Sequence, residues 1–161
     1  MAPLAESLKT ALDFERQGYQ FYVDAASRVE DPVVKTVLMS LADDERDHEN
    51  IISRYYDALV KHSDWPAPQS DTLFRSTPEQ VEAMVRQTVG SIGADASFVG
   101  VYETARDLEM GSVKFYSAQA ESAEDERVVQ FFRFLTRIET AHMQALQTVL
   151  DATGGGSGTS C

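Results

Sequence analysis

The sequence predicts an all-α protein, a four-helix bundle made of two repeated helical hairpins joined by a long crossover that contains a short helix. Three observations carry this prediction. Apolar residues recur at helical spacing through most of the 161 residues, and no segment alternates with the period of a strand. The two halves repeat at a constant shift of 94 positions. A Pro-, Ser- and Asp-rich stretch, "HSDWPAPQSD", separates them.

The elements follow in order. The first helix is expected over about residues 4 to 28, before the break "EDP". Asp31 is the candidate N-cap of the second, with Pro32 at its first position, and that helix runs to about residue 61. In the crossover, Thr77, Pro78 and Gln80 form a capping box for a short helix near 78 to 90, ended by Gly90 and Gly93. The third helix is expected over about 96 to 122 and the fourth over about 125 to 151. Residues 1–152 are expected to form one domain, and residues 153–161, which carry "GGGSGTSC", a flexible Gly/Ser tail.

The repeat is detailed. A shift of 94 carries Thr10, Ala11, Asp13, Glu15, Phe21, Tyr22 and Ala26 onto Thr104, Ala105, Asp107, Glu109, Phe115, Tyr116 and Ala120. Without a gap it also carries Val34, Leu41, Glu45 and His48 onto Val128, Leu135, Glu139 and His142. A constant offset across two helices and their turn makes each half a hairpin of the same dimensions. Two hairpins packed together give the bundle, and residues 62 to 95 are the crossover.

Composition narrows the function. The 43% hydrophobic content suits a single domain with a real core. A net charge of −12 repels nucleic-acid phosphates and anionic membrane surfaces and attracts cations, so neither nucleic acid nor membrane is an expected partner. No apolar run approaches the ~18 residues of a membrane span, and "MAPLAESLKT" lacks the regions of a signal peptide. A cytoplasmic location is the resulting expectation. Cys161 is the only cysteine, so an internal disulfide or a CxxC metal knuckle is excluded.

The apolar seams show where cations would go. Spacings of four and three link Leu4, Leu8, Ala11, Glu15, Gly18, Tyr22, Ala25 and Val29 in the first helix. The second gives Val34, Leu38, Leu41, Glu45, His48, Ile52, Tyr55 and Leu59. The third gives Phe98, Tyr102, Ala105, Glu109, Ser112, Tyr116, Gln119 and Ala123, and the fourth Val128, Phe132, Leu135, Glu139, His142, Leu146 and Val149. This spacing faces partner helices. One glutamate interrupts each seam near its middle, and in two helices a histidine follows three residues later on the same face. Glu15 and Glu45 each lie roughly 22 Å from the turn near Asp31, at a rise of ~1.5 Å per residue. Glu109 and Glu139 flank the turn near Glu124 in the same way. Antiparallel packing then brings all six side chains toward one layer.

Four buried carboxylates without partners are unfavourable by several kcal/mol each, and no lysine or arginine occupies these seams. Two divalent cations balance four carboxylates, and two neutral imidazoles add nitrogen donors. A glutamate from each of two helices and Glu-x-x-His from the other two make the di-iron or di-manganese carboxylate pattern, and these donors do not separate iron from manganese. Tyr22 and Tyr116 follow Glu15 and Glu109 by two turns. They are candidate catalytic residues, placed to hydrogen-bond ligand carboxylates or to carry electrons, with plain core packing as the alternative. Asp43, Asp44, Asp47 and Glu49 fall off the seam and are expected in solvent, as is His62, and Trp65 has no partner that the sequence identifies.

With these residues identified, "ALDFERQGYQFY", "LADDERDHENI", "ARDLEMGSVKFY" and "LTRIETAHMQAL" resemble the four helices of the rubrerythrin branch of the ferritin-like superfamily, over nearly all of residues 4 to 151. The resemblance implies that Glu15, Glu45, His48, Glu109, Glu139 and His142 are ligands of two Fe ions, with Glu45 and Glu139 as candidate bridges. It implies reaction of Fe(II) with O2 or hydrogen peroxide, since such proteins act as peroxidases or ferroxidases. Two departures stand out. Rubrerythrins proper carry a further glutamate one turn after the third-helix ligand, where this chain has Ser112, which implies a more symmetric site, as in bacterioferritin. The four-cysteine rubredoxin module is not in this sequence, which implies an external electron donor for peroxide reduction. Both departures favour iron oxidation, or a peroxide reaction with a separate reductase. A non-catalytic iron-binding or delivery module is the alternative from another class. A third is an oxygenase of an organic substrate, for which Gly18, Gly111 and Ser112 would open a pocket. A homodimer or higher homo-oligomer is expected from the resemblance.

Overall fold

The computed structural model describes residues 2–66, 83, 86 and 96–153. Its helices are α1 (Ala2–Arg28), α2 (Pro32–Val60), α3 (Ala96–Ser122) and α4 (Glu126–Ala152), and no strand occurs among the described residues. The protein is the all-α bundle that the periodicity predicts. The short helix expected over 78 to 90 lies outside the described residues except for Ala83 and Arg86, both helical. The Gly/Ser tail after Thr153 and the side chain of Phe98 lie outside them as well. No described helix is long and apolar enough to cross a membrane.

The helix boundaries follow from local chemistry. The Asp31 carboxylate accepts hydrogen bonds from the backbone N–H groups of Val33 at 2.8 Å and Val34 at 3.0 Å. Pro32, which has no N–H to satisfy, occupies the first helical position. Asp125 caps α4 by accepting from the N–H of Arg127 at 2.9 Å. Each cap contributes about 1 kcal/mol. Beyond the end of α2, His62 takes a left-handed conformation with φ of 51° and is exposed.

α1 packs against α2, α3 against α4, and the hairpins meet through α1 and α3. Two apolar clusters fill the interior. One joins Tyr22, Val29, Val34 and Leu38 to Tyr102, Leu146 and Val149. The other joins Leu8, Ile52 and Tyr55 to Tyr116, Phe132 and Leu135. The late part of α1 thus lies with the early part of α3, so these two helices are antiparallel. α2 ends at one end of the bundle and α3 begins at the other, which is why their connection is long. The described seam residues are buried or half-buried throughout. Between the two clusters lies a polar layer of Glu15, Glu45, His48, Glu109, Glu139 and His142, each at most 4% exposed.

Candidate metal centre

The layer contains two groups of donor atoms, each spanning no more than 4.8 Å: Glu15, Glu45, His48 and Glu139, and Glu45, Glu109, Glu139 and His142. Glu45 and Glu139 belong to both. The six residues singled out in the sequence therefore meet in one place, divided by the pseudo-symmetry of the hairpins. His48 turns Nδ1 toward Glu139 Oε1 at 3.1 Å, Glu15 Oε2 at 3.2 Å and Glu45 Oε2 at 3.6 Å. His142 turns Nδ1 toward Glu139 Oε2 at 3.6 Å, Glu45 Oε1 at 3.7 Å and Glu109 Oε1 at 3.9 Å. The imidazoles stack 5.4 Å apart.

The tyrosines cross between the halves. Tyr22 of α1 donates its hydroxyl hydrogen to Glu109 of α3, and Tyr116 of α3 donates to Glu15 of α1. Each tyrosine thus fixes the carboxylate of the opposite hairpin, a pairing that the stripe along one helix does not reveal.

Asp44 corrects an expectation. It was expected in solvent, off the seam, but it is 2% exposed. Its Oδ2 lies 3.9 Å from Nε2 of His142, behind the nitrogen that faces the other donors. A carboxylate in that position favours the tautomer with Nδ1 free to donate electrons to a cation. The narrow seam missed it because the buried face of a core helix spans a wider arc. The repeat held the missing signal, since the shift of 94 carries Asp44 onto Ile138, an apolar residue. Asp43, Asp47 and Glu49 are intermediate in exposure.

Electrostatics separates the six into two kinds. Burial pushes Glu15 and Glu109 well above the usual carboxylate range, aided by the charge of Glu139 on the first and of Glu45 on the second. Burial acts upward on Glu45 and Glu139 too, but the two histidines outweigh it and hold both below that range. His48 and His142 lie well above the usual imidazole range: burial works against the cation, and the surrounding carboxylates, Glu139 foremost, more than offset it. In the metal-free layer these shifts favour protonated imidazoles beside ionised Glu45 and Glu139, and the neutral form of Glu15 and Glu109. Burial, with the neighbouring carboxylates, also holds the phenols of Tyr22 and Tyr116 well above their usual range, so both remain hydrogen-bond donors.

The donor set fits a pair of divalent cations. Among the described residues, Glu45 Oε1, Glu139 Oε2 and Nδ1 of His142 are buried without a hydrogen bond, the contacts between them being 3.6 and 3.7 Å. Such atoms cost free energy unless something pairs with them. No described lysine or arginine pairs with any of the four glutamates.

A cavity of about 110 Å³ adjoins the layer between α1 and α3, lined among others by Phe14, Gly18, Glu45, Glu109, Gly111 and Ser112. Gly18 leaves little room beside Glu45: a Cβ there would stand 3.2 Å from Cδ and 3.3 Å from Oε2 of Glu45, so that side chain would have to give by a few tenths of an ångström. Gly18→Ala should therefore have effects of opposite sign. Helix propensity would gain about 1 kcal/mol, whereas displacement of Glu45 should weaken metal affinity about tenfold. Thermal unfolding of metal-free protein and chelator competition read the two effects separately. Equal affinity in the variant would show that Glu45 does not depend on this space.

The family model of rubrerythrin matches residues 6–150. The chain belongs to the rubrerythrin family, a ferritin-like family of di-iron carboxylate proteins. Comparisons with curated proteins and with solved structures gave no match.

Proposed function

We propose that the protein is a di-iron oxidoreductase that oxidises Fe(II) with O2, or reduces hydrogen peroxide at the expense of an external electron donor. The observation that carries this is the pair of donor groups sharing Glu45 and Glu139. In this assignment Glu15 and His48 would hold one ion and Glu109 and His142 the other, with Glu45 and Glu139 available to both. Bound iron supplies one-electron oxidation at each ion and positions at which O2 or peroxide is reduced. Manganese suits the same donors, and metal analysis of the native protein separates the two.

The chain's own residues do the rest. Asp44 faces Nε2 of His142 across 3.9 Å, while Tyr22 and Tyr116 hold Glu109 and Glu15 in place by hydrogen bonds. The space beside Gly18 and Ser112 leads to Glu45 and Glu109. About 110 Å³ holds only a few molecules the size of water. That volume accommodates O2 or hydrogen peroxide.

Protein loaded anaerobically should bind about two Fe(II) per chain, in keeping with two donor groups, and oxidise them faster than buffer does when O2 or peroxide is mixed in. The faster of the two oxidants identifies the co-substrate. Binding without repeated turnover would leave the non-catalytic iron-delivery alternative in its place.

A further inference from the structure

We propose that Trp65, Tyr55, Phe131, Phe132 and Tyr116 form a one-electron route between the carboxylate layer and the surface, with Trp65 as its outer port. The proposal rests on the metal-centre assignment for its purpose, but not for its geometry. Trp65 is half-buried in the segment that follows α2. Its ring lies 4.9 Å from that of Tyr55 and 6.1 Å from that of Phe131. Tyr55 stacks on Phe131 at 4.0 Å, Phe131 meets Phe132 at 5.3 Å, and Phe132 stacks near Tyr116 at 6.2 Å. Tyr116 then donates its hydroxyl hydrogen to Glu15. The run of rings is continuous from a partly exposed indole to a carboxylate of the candidate centre.

Core filling alone does not account for these rings, because the repeat provides an internal control. The shift of 94 carries Tyr22 onto Tyr116, Val37 onto Phe131, Leu38 onto Phe132 and Tyr55 onto Val149. At the other end of the bundle, Val37, Leu38 and Val149 fill the equivalent space and are themselves buried. Both halves carry the tyrosine on the opposite glutamate, but at these positions only one end continues it outward with aromatic rings.

The chemistry suits the order of residues. Indole and phenol are oxidisable side chains. Phenylalanine is not, so Phe131 and Phe132 serve as the packed medium through which the electron tunnels. Once O2 or peroxide has oxidised the centre, Tyr116 gives it one electron and passes its phenolic proton to Glu15. Trp65 then reduces the Tyr116 radical through the intervening rings, a step drawn forward by the external donor that re-reduces Trp65, and the proton returns from Glu15 to the phenol. Trp65 is left one electron short, its indole proton released to solvent. An external one-electron donor, with a proton from solvent, restores it.

Trp65 is the only tryptophan, so azide radicals generated by pulse radiolysis can place the oxidising equivalent there selectively. The measurement compares Tyr55→Phe with Tyr55→Phe/Tyr116→Phe, both conservative in packing, in metal-free protein at a pH high enough to ionise Glu15 and in protein loaded with redox-inert zinc. With no external donor present the route runs in reverse, indolyl oxidising phenol, so the indolyl signal of the single variant should decay into a phenoxyl signal at a rate independent of protein concentration. The double variant should lose that phenoxyl signal. Equal behaviour of the two variants in both forms would overturn the route. Zinc uptake, measured by dialysis, tests the donor set alone. Uptake without transfer rejects the route and spares the centre. Transfer in metal-free protein without uptake rejects the centre and spares the route, and absence of both rejects both.

Discussion

Leucine at both Glu15 and Glu109 is expected to abolish binding of the metal pair without unfolding the bundle. Each residue lies in one donor group only, so the double variant strips a carboxylate from each. Replacing buried ionisable groups with well-packed hydrophobes is often neutral or stabilising, by about 1–4 kcal/mol. The tyrosines oppose that gain here. Tyr22 and Tyr116 would each keep a buried hydroxyl that has lost its acceptor, at a cost of about 1–3 kcal/mol apiece. Metal-free Glu15→Leu/Glu109→Leu should thus unfold in urea near the parent's midpoint. Adding Tyr22→Phe and Tyr116→Phe should raise the midpoint above the parent's, with stability higher by about 1–4 kcal/mol. Metal analysis gives the stoichiometry in parallel. A metal-free quadruple variant less stable than the parent would mean that the glutamates are structural partners in their own right.

The second large effect is a reversal of pH dependence on metal binding. In the metal-free layer, Glu15 and Glu109 lie well above their ordinary value of 4.5, and His48 and His142 well above 6.5. The folded chain binds these protons more tightly than the unfolded chain does. The resulting stability is fully present below those ordinary values and is lost as pH rises through the folded ones. Glu45 and Glu139, depressed below 4.5, act oppositely, and their contribution is lost as pH falls. Metal-free protein should therefore be most stable in mild acid and weaken as pH rises above the ordinary imidazole value of 6.5. The slope is about 1.4 kcal/mol per pH step of one for each proton that the folded chain holds and the unfolded chain has lost. Two divalent cations must displace about four protons, from two imidazoles and two carboxyls, so their affinity rises with pH. Loaded protein should gain stability over the range in which metal-free protein loses it. Urea midpoints in mild acid and above neutrality, with and without metal, give the comparison, and a metal-free midpoint that rises with pH would sink this account.

The main features of the fold were readable because each rests on periodicity. The alternation of four and three gave the seams, and the constant shift of 94 gave two equivalent hairpins. Asp31 and Pro32 marked a helix start by a local chemical rule that needs no tertiary context. The meeting of Glu15, Glu45, His48, Glu109, Glu139 and His142 followed from equal heights along antiparallel helices. What escaped depends on relations that one helix does not encode. Tyr22 lies on the stripe of Glu15 but reaches Glu109, because its partner is set by which helix packs beside α1. Asp44 was missed because a stripe one residue wide understates the buried face. Trp65 follows α2 in an irregular segment, where no period indicates which rings of α2 and α4 it will meet.

The division of donors between the hairpins has a mechanical consequence. The first group takes Glu15, Glu45 and His48 from one hairpin and Glu139 from the other, and the second takes Glu109, Glu139 and His142 from one and Glu45 from the other. Each ion would therefore act as a rivet across the seam between two halves that otherwise meet through the close approach of α1 and α3 and through side chains of α2 and α4. Removing the ions should release motion of one hairpin against the other before it melts either one. Amide exchange would then accelerate first along the facing sides of α2 and α4, while the caps at Asp31 and Asp125 still hold the turns closed.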